Sequence, residues 1–93
     1  MAHQFRLQIV TQQKTIFDRD ITSLVLPGED GYFGVLAQHA PIISVLKTGY
    51  CDIRDGNDAQ RVEITGGFFE MSDNVATLLA DSMTGLKIEA EEE

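Results

Sequence analysis

The residues best able to do chemistry cluster between Leu26 and Pro41, in the stretch LPGEDGYFGVLAQHAP. It holds both prolines, two adjacent acids and His39, one of two histidines. Glu29, Asp30 and His39 offer oxygen and nitrogen donors of the kind cations accept, so one reading is a small metal- or ligand-binding β-domain built on them. The plainer reading is that acids in a glycine-rich loop are solvated turn residues. A zinc site needs Cys and His in close pairs, and Cys51, His3 and His39 are scattered. Glycines 28, 31 and 34 lack the Gly-Lys-Ser/Thr ending of a phosphate loop, and no helical pattern follows. Ser44 and His39 would be a nucleophile and base only if Ser44 stood on an elbow, but it lies in an apolar strand pattern. Fifteen acids are present, yet their spacing selects no pair for acid–base work. The expectation is therefore no catalytic residue, no cofactor, no metal and no direct small-molecule substrate.

What remains is shape. Gly and Pro build tight turns and admit a close neighbour. Tyr32, Phe33 and His39 are anchors of the sort interfaces favour. Core packing is an equal claim on Phe33, and local loop organisation an equal claim on His39.

The elements that must position this loop are short strands. Phe5, Leu7 and Ile9 alternate with Arg6, Gln8 and Val10 in a half-buried strand. Thr15–Phe17 is a short extended piece, and Ile21–Leu26 runs β-branched to the stop at Pro27-Gly28. Tyr32–Leu36 is another strand. Ile42–Leu46 (IISVL) is almost continuously apolar, so it is either covered on both faces or set between core and partner. Asp55–Asp58 (DGND) predicts a hairpin between Tyr50–Arg54 and Arg61–Thr65. Gly66-Gly67 is a candidate bulge. Ser72-Asp73-Asn74 turns Phe68–Met71 back onto Val75–Leu79. The fold expected from this spacing is all-β, a sandwich or barrel of seven to ten short strands. It occupies residues 1–86, with an acidic tail at 87–93.

Composition narrows the partners. Fifteen acids against seven Lys plus Arg give a net charge of −8. That repels phosphate backbones and anionic lipid, so nucleic acid is not expected as a partner. Ninety-three residues make one domain, and 43% hydrophobic content suffices for a core. Cys51 is alone, so no intrachain disulfide forms, and it reads as a small apolar residue. No apolar run has the length of a membrane span, and MAHQFRLQIV lacks the pattern of a signal peptide.

Phe17, LVLPGEDGYFGVL, HAP at 39–41, LKTG at 46–49, GGFFE at 66–70 and VATLLAD at 75–81 occur in one order and spacing. Together they resemble the N-terminal domain of the epsilon subunit of F-type ATP synthase, from about Phe5 to Ser82. The resemblance implies a flattened antiparallel β-sandwich of about ten short strands and a non-catalytic rotor subunit of the central stalk. Such a subunit binds gamma on one side and the polar loops of the c-ring below. It lies at the cytoplasmic face of the energy-transducing membrane. Position by position, it implies that Glu29, Asp30, Gly31 and Tyr32 face the c-ring. It likewise implies that Thr11, His39, Ala40, Pro41, Ile42 and Ser44 lie near gamma.

Two departures stand out. Many members read Pro-Gly where this chain has Ala37-Gln38, which puts the tight turn before His39 in doubt. Most members also continue into a helical hairpin, whereas this sequence stops after KIEAEEE. Whether it is a short natural form or part of a longer chain, these residues are expected neither to inhibit ATP hydrolysis by helix insertion nor to bind ATP.

Overall fold

A computed structural model describes residues 3–12 and 14–86. The acidic tail expected at 87–93 lies outside the described residues. Ten strands run β1 (Phe5–Thr11), β2 (Lys14–Ile21), β3 (Ser23–Gly28), β4 (Gly31–Leu36), β5 (Ile42–Leu46), β6 (Gly49–Asp55), β7 (Asp58–Ile64), β8 (Gly67–Ser72), β9 (Val75–Ala80) and β10 (Met83–Thr84). One hydrogen-bonded path, β10-β7-β6-β3-β5-β8-β9-β1-β2, carries nine of them, and β4 sits on β3. Gly28↔Leu46 is the single register pair between β3 and β5. There the sheet folds over into two layers, β4-β3-β6-β7-β10 and β5-β8-β9-β1-β2. The flattened body measures 35 × 27 × 21 Å.

The core follows from period two. Ser44, Phe69, Leu78, Ile9 and Phe17 form one row across four ladders. All but Ser44 are buried. Leu24, Leu26, Cys51, Ile53, Val62 and Ile64 of the other layer complete the same core. Phe33 reaches across to Phe69 edge-on, with centroids 6.0 Å apart, so it belongs to the packing.

Several expectations change in detail. β1 pairs with β9 in parallel, the one parallel ladder among otherwise antiparallel pairs. Ile21–Leu26 is not one strand, because the chain turns at Thr22. The Thr22 hydroxyl donates to the Arg54 carbonyl at 2.9 Å and accepts the Gly56 N–H at 3.0 Å, which fixes the corner. Gly66-Gly67 is not a bulge but the step from β7 to β8, between the two layers. At Gly67 (φ 153°) a Cβ would stand 2.0 Å from the Leu79 carbonyl oxygen, so only glycine fits. The register shift lies instead between Ile9 and Val10. The Asp73-Asn74 turn has φ of 53° and 65°, the left-handed pair a two-residue hairpin requires.

Edge strand β2 ends one layer. It carries Lys14, Asp18, Arg19 and Asp20, charges that discourage pairing with another chain.

Candidate docking surface

The β3–β4 turn is pinned from both sides. Glu29 and Asp30 are exposed at its tip. Glu29 N–H donates to the Val45 carbonyl at 3.1 Å, and Lys47 N–H to the Pro27 carbonyl at 2.9 Å. On the other side the Tyr32 ring packs on Tyr50 at 4.6 Å, and its hydroxyl accepts the Tyr50 N–H at 3.2 Å. Gly49 lets that hydroxyl approach, since a Cβ there would lie 2.6 Å from it. Arg61 covers the far face of this pair, 3.8 Å from the Tyr50 centroid, while holding Asp52 at 2.7 and 3.1 Å. Tyr32 is thus half structural, and the acids beside it are presented on a stiff tip.

The turn residues Gly28–Phe33 and the strand residues Ile42–Val45 line one shallow depression. Glu29, Asp30, Gly31 and Tyr32 are therefore brought together with Ile42 and Ser44. Ile42 and Ser44 are half-buried, and the Ser44 hydroxyl donates to the Val45 carbonyl at 3.2 Å. Thr11 stands elsewhere, at the end of β1 opposite Lys14.

The turn before His39 forms without Pro-Gly. Gln38 adopts φ 65°, and His39 N–H donates to the Leu36 carbonyl at 3.2 Å. His39 Nδ1 lies 2.7 Å from the Ala40 carbonyl, so this nitrogen carries the proton and donates. The histidine organises its own loop. Ala40 and Pro41 follow it, both exposed, into β5.

Sequence reasoning reached only one strand of the most conspicuous surface, Ile42–Leu46, and missed the residues that continue it. Val45, Phe68, Leu79 and Val10 are successive partners on one row across β5, β8, β9 and β1. They lie one residue along from the buried row, hence on the outer face. Phe68 is 54% exposed, Leu79 45% and Val45 43%; Ile43, two residues before Val45, is 78% exposed. The signal was present as doublets. In a strand, Phe68-Phe69, Leu78-Leu79 and Ile42-Ile43 must each send one apolar side chain outward. The opposite end of this face is mixed, with exposed Val75 beside Arg6, which is held by Asp18 at 2.6 Å and Asp20 at 3.6 Å.

Nothing comparable gathers for chemistry. Among the described residues no three His, Cys, Asp or Glu side chains form a group that could hold a metal, so Glu29, Asp30 and His39 do not make the alternative site. No described polar or charged residue is buried. The Cys51 thiol is pushed up to about 12, chiefly by burial and then by Asp52, so it stays a thiol. No described helix is long and apolar enough to cross a membrane.

A two-layer β-sandwich with an apolar outer band and a stiff acidic hairpin tip is the class these features define. The family described as ATP synthase, Delta/Epsilon chain, beta-sandwich domain matches residues 4–85, and the chain belongs to it. Among curated relatives, an ATP synthase epsilon chain of Leptospira borgpetersenii is 35% identical over 80 residues, which is 86% of this chain and 63% of the relative. An ATP synthase epsilon chain of Pelotomaculum thermopropionicum is 44% identical over 77 residues, or 83% and 58%. The chain thus spans about three-fifths of the length of these relatives. A chain of the Euglena gracilis mitochondrial ATP synthase superposes with a TM-score of 0.84 at 24% identity, covering 96% of this chain and 58% of that one. One from the Tetrahymena thermophila mitochondrial ATP synthase central stalk and c-ring gives 0.75 at 14%, covering 99% and 74%. Both likenesses establish the fold.

Proposed function

We propose that this domain is a non-catalytic rotor component of an ATP synthase central stalk, coupling proton translocation to ATP synthesis by docking between the gamma subunit and the c-ring. The observation that carries this reading is the exposed apolar row Val45–Phe68–Leu79, with Ile43 beside it, on a sandwich whose inner row is buried at every position but Ser44. A face of this kind is expected to be covered in the working assembly. Covering four such side chains contributes on the order of 5 kcal/mol, which offsets part of the cost of association and leaves the remainder to the contacts around them. Gamma is the partner assigned to this face. Thr11 and the segment from His39 through Ala40, Pro41 and Ile42 to Ser44 are assigned to the same partner.

The acidic tip, Glu29 through Tyr32, is assigned to the polar loops of the c-ring. Its rigidity suits the transmission of torque, because a floppy tip would absorb the displacement. The domain sits peripherally at the cytoplasmic face of the membrane, and it needs no cofactor or substrate of its own. Membership of the family and the kinship with chains named ATP synthase epsilon chain support this reading.

The test is a binding isotherm against purified gamma. Ile43→Asp combined with Phe68→Asp should weaken binding at least 100-fold while leaving the melting temperature near wild type, since both side chains face outward. Equal affinity for the two proteins would remove the apolar row from the contact.

A further inference from the structure

We propose that Asn74 is a positioning residue that holds the His39–Pro41 loop in the shape gamma meets, an inference that rests on the function proposed above. Asn74 Oδ1 accepts the Gln38 N–H at 2.8 Å, from 36 residues away in sequence. Its Nδ2 donates to the Gln4 carbonyl at 2.9 Å, 70 residues away. Its main-chain oxygen accepts the Arg6 N–H at 3.1 Å. Three segments therefore meet at one residue: the entry to β1, the β4–β5 loop and the β8–β9 turn.

The residue type is selected twice. Only a short amide offers an acceptor and a donor at once at this reach; a carboxylate would only accept. Asn is also among the residues that tolerate the left-handed backbone found here, φ 65°. The bond to Gln38 matters because the loop, apart from the packing of Ala37 on the core, is otherwise held by local hydrogen bonds. His39 bonds to Leu36 and to Ala40, its immediate surroundings. Among the described residues, Asn74 makes the one hydrogen bond that links residues 37–41 to a distant part of the chain. Gln38 is itself left-handed, so its N–H points out of the turn, and tying it down sets the direction in which the next residue, His39, leaves. A loop fixed before contact does not have to be ordered during binding.

The test uses the whole chain and purified gamma, with hydrogen exchange at the Gln38 amide, gamma affinity and melting temperature as readouts. In the free wild-type chain the Gln38 amide should already be protected; free exchange there would overturn the proposal without any variant. Asn74→Gly keeps the left-handed turn and loses both side-chain bonds. It should deprotect Gln38 and weaken gamma binding about tenfold. Asn74→Asp keeps the acceptor for Gln38 and should bind within about threefold of wild type. Gamma affinity within twofold of wild type for Asn74→Gly, alongside a freely exchanging Gln38, would overturn the inference and reduce Asn74 to a structural residue. Undiminished binding by the Ile43→Asp/Phe68→Asp chain would instead overturn the docking face, whatever Asn74 does.

Discussion

Gln38 holds a backbone conformation that glycine adopts without strain, and this has a measurable consequence. A left-handed non-glycine residue costs about 1–2 kcal/mol, of which the extra freedom of glycine in the unfolded chain takes back roughly half. Gln38→Gly should therefore raise stability by about 0.5–1 kcal/mol, read as a higher urea midpoint with an unchanged slope. A lower midpoint would contradict the account of the turn. The departure from Pro-Gly was legible in the sequence, but not that the turn survives it, because the tie from Asn74 arrives from a distant hairpin. Cys51 gives a second residue-level test. Its folded pKa lies above the unfolded value of 9.0, at about 12, so above pH 9 the unfolded chain loses a proton that the folded chain keeps. Stability should fall as pH rises from 9 towards 12, by up to ~1.4 kcal/mol per unit. Cys51→Ala should remove that part of the slope. A native thiol that a disulfide reagent modifies as fast as it does the unfolded chain would contradict the burial.

Strands are the scale at which the sequence was most readable. Alternation in Phe5–Ile9, the DGND hairpin and the Asp73-Asn74 turn all lie where local chemistry demands them. What stayed hidden depends on distant contacts. β10 is two residues held by Ile64 and Glu63 of β7, with no pattern of its own. The corner at Thr22 sits inside a β-branched run and is set by bonds to Arg54 and Gly56. The outer row was anticipated only at Ile42–Leu46, because Phe68 and Leu79 look like core residues until the register fixes their faces. The step at Gly67 yields the prediction for this scale. A methyl group there meets the Leu79 backbone, which cannot retreat without breaking the β8–β9 ladder. Gly67→Ala should cost on the order of 3 kcal/mol, measured by chemical denaturation. A loss below about 1 kcal/mol would mean the two layers are joined less rigidly than described.

For the molecule as a whole, the joining of two surfaces of different chemistry is the mechanical content of the fold, and they adjoin at the depression shared by Gly28–Phe33 and Ile42–Val45. One carries the apolar row; the other is an acidic tip buttressed by the Tyr32–Tyr50–Arg61–Asp52 stack. If the assignment is right, each can be damaged alone. Replacing Glu29 and Asp30 together by Ala should leave gamma affinity within about twofold while lowering coupled ATP synthesis, because both side chains are exposed at the turn tip and every apolar side chain of the row is left in place. Fold class was legible here from composition and turn spacing. The placing of the two surfaces side by side was not, since it exists only once β3 and β5 join at Gly28 and Leu46. The most direct test is proton-driven ATP synthesis by synthase complexes stripped of their own epsilon chain and resupplied with this one. The account predicts that the wild-type chain restores synthesis and that the Ile43→Asp/Phe68→Asp chain does not. Equal restoration by both, or none by either, would contradict it.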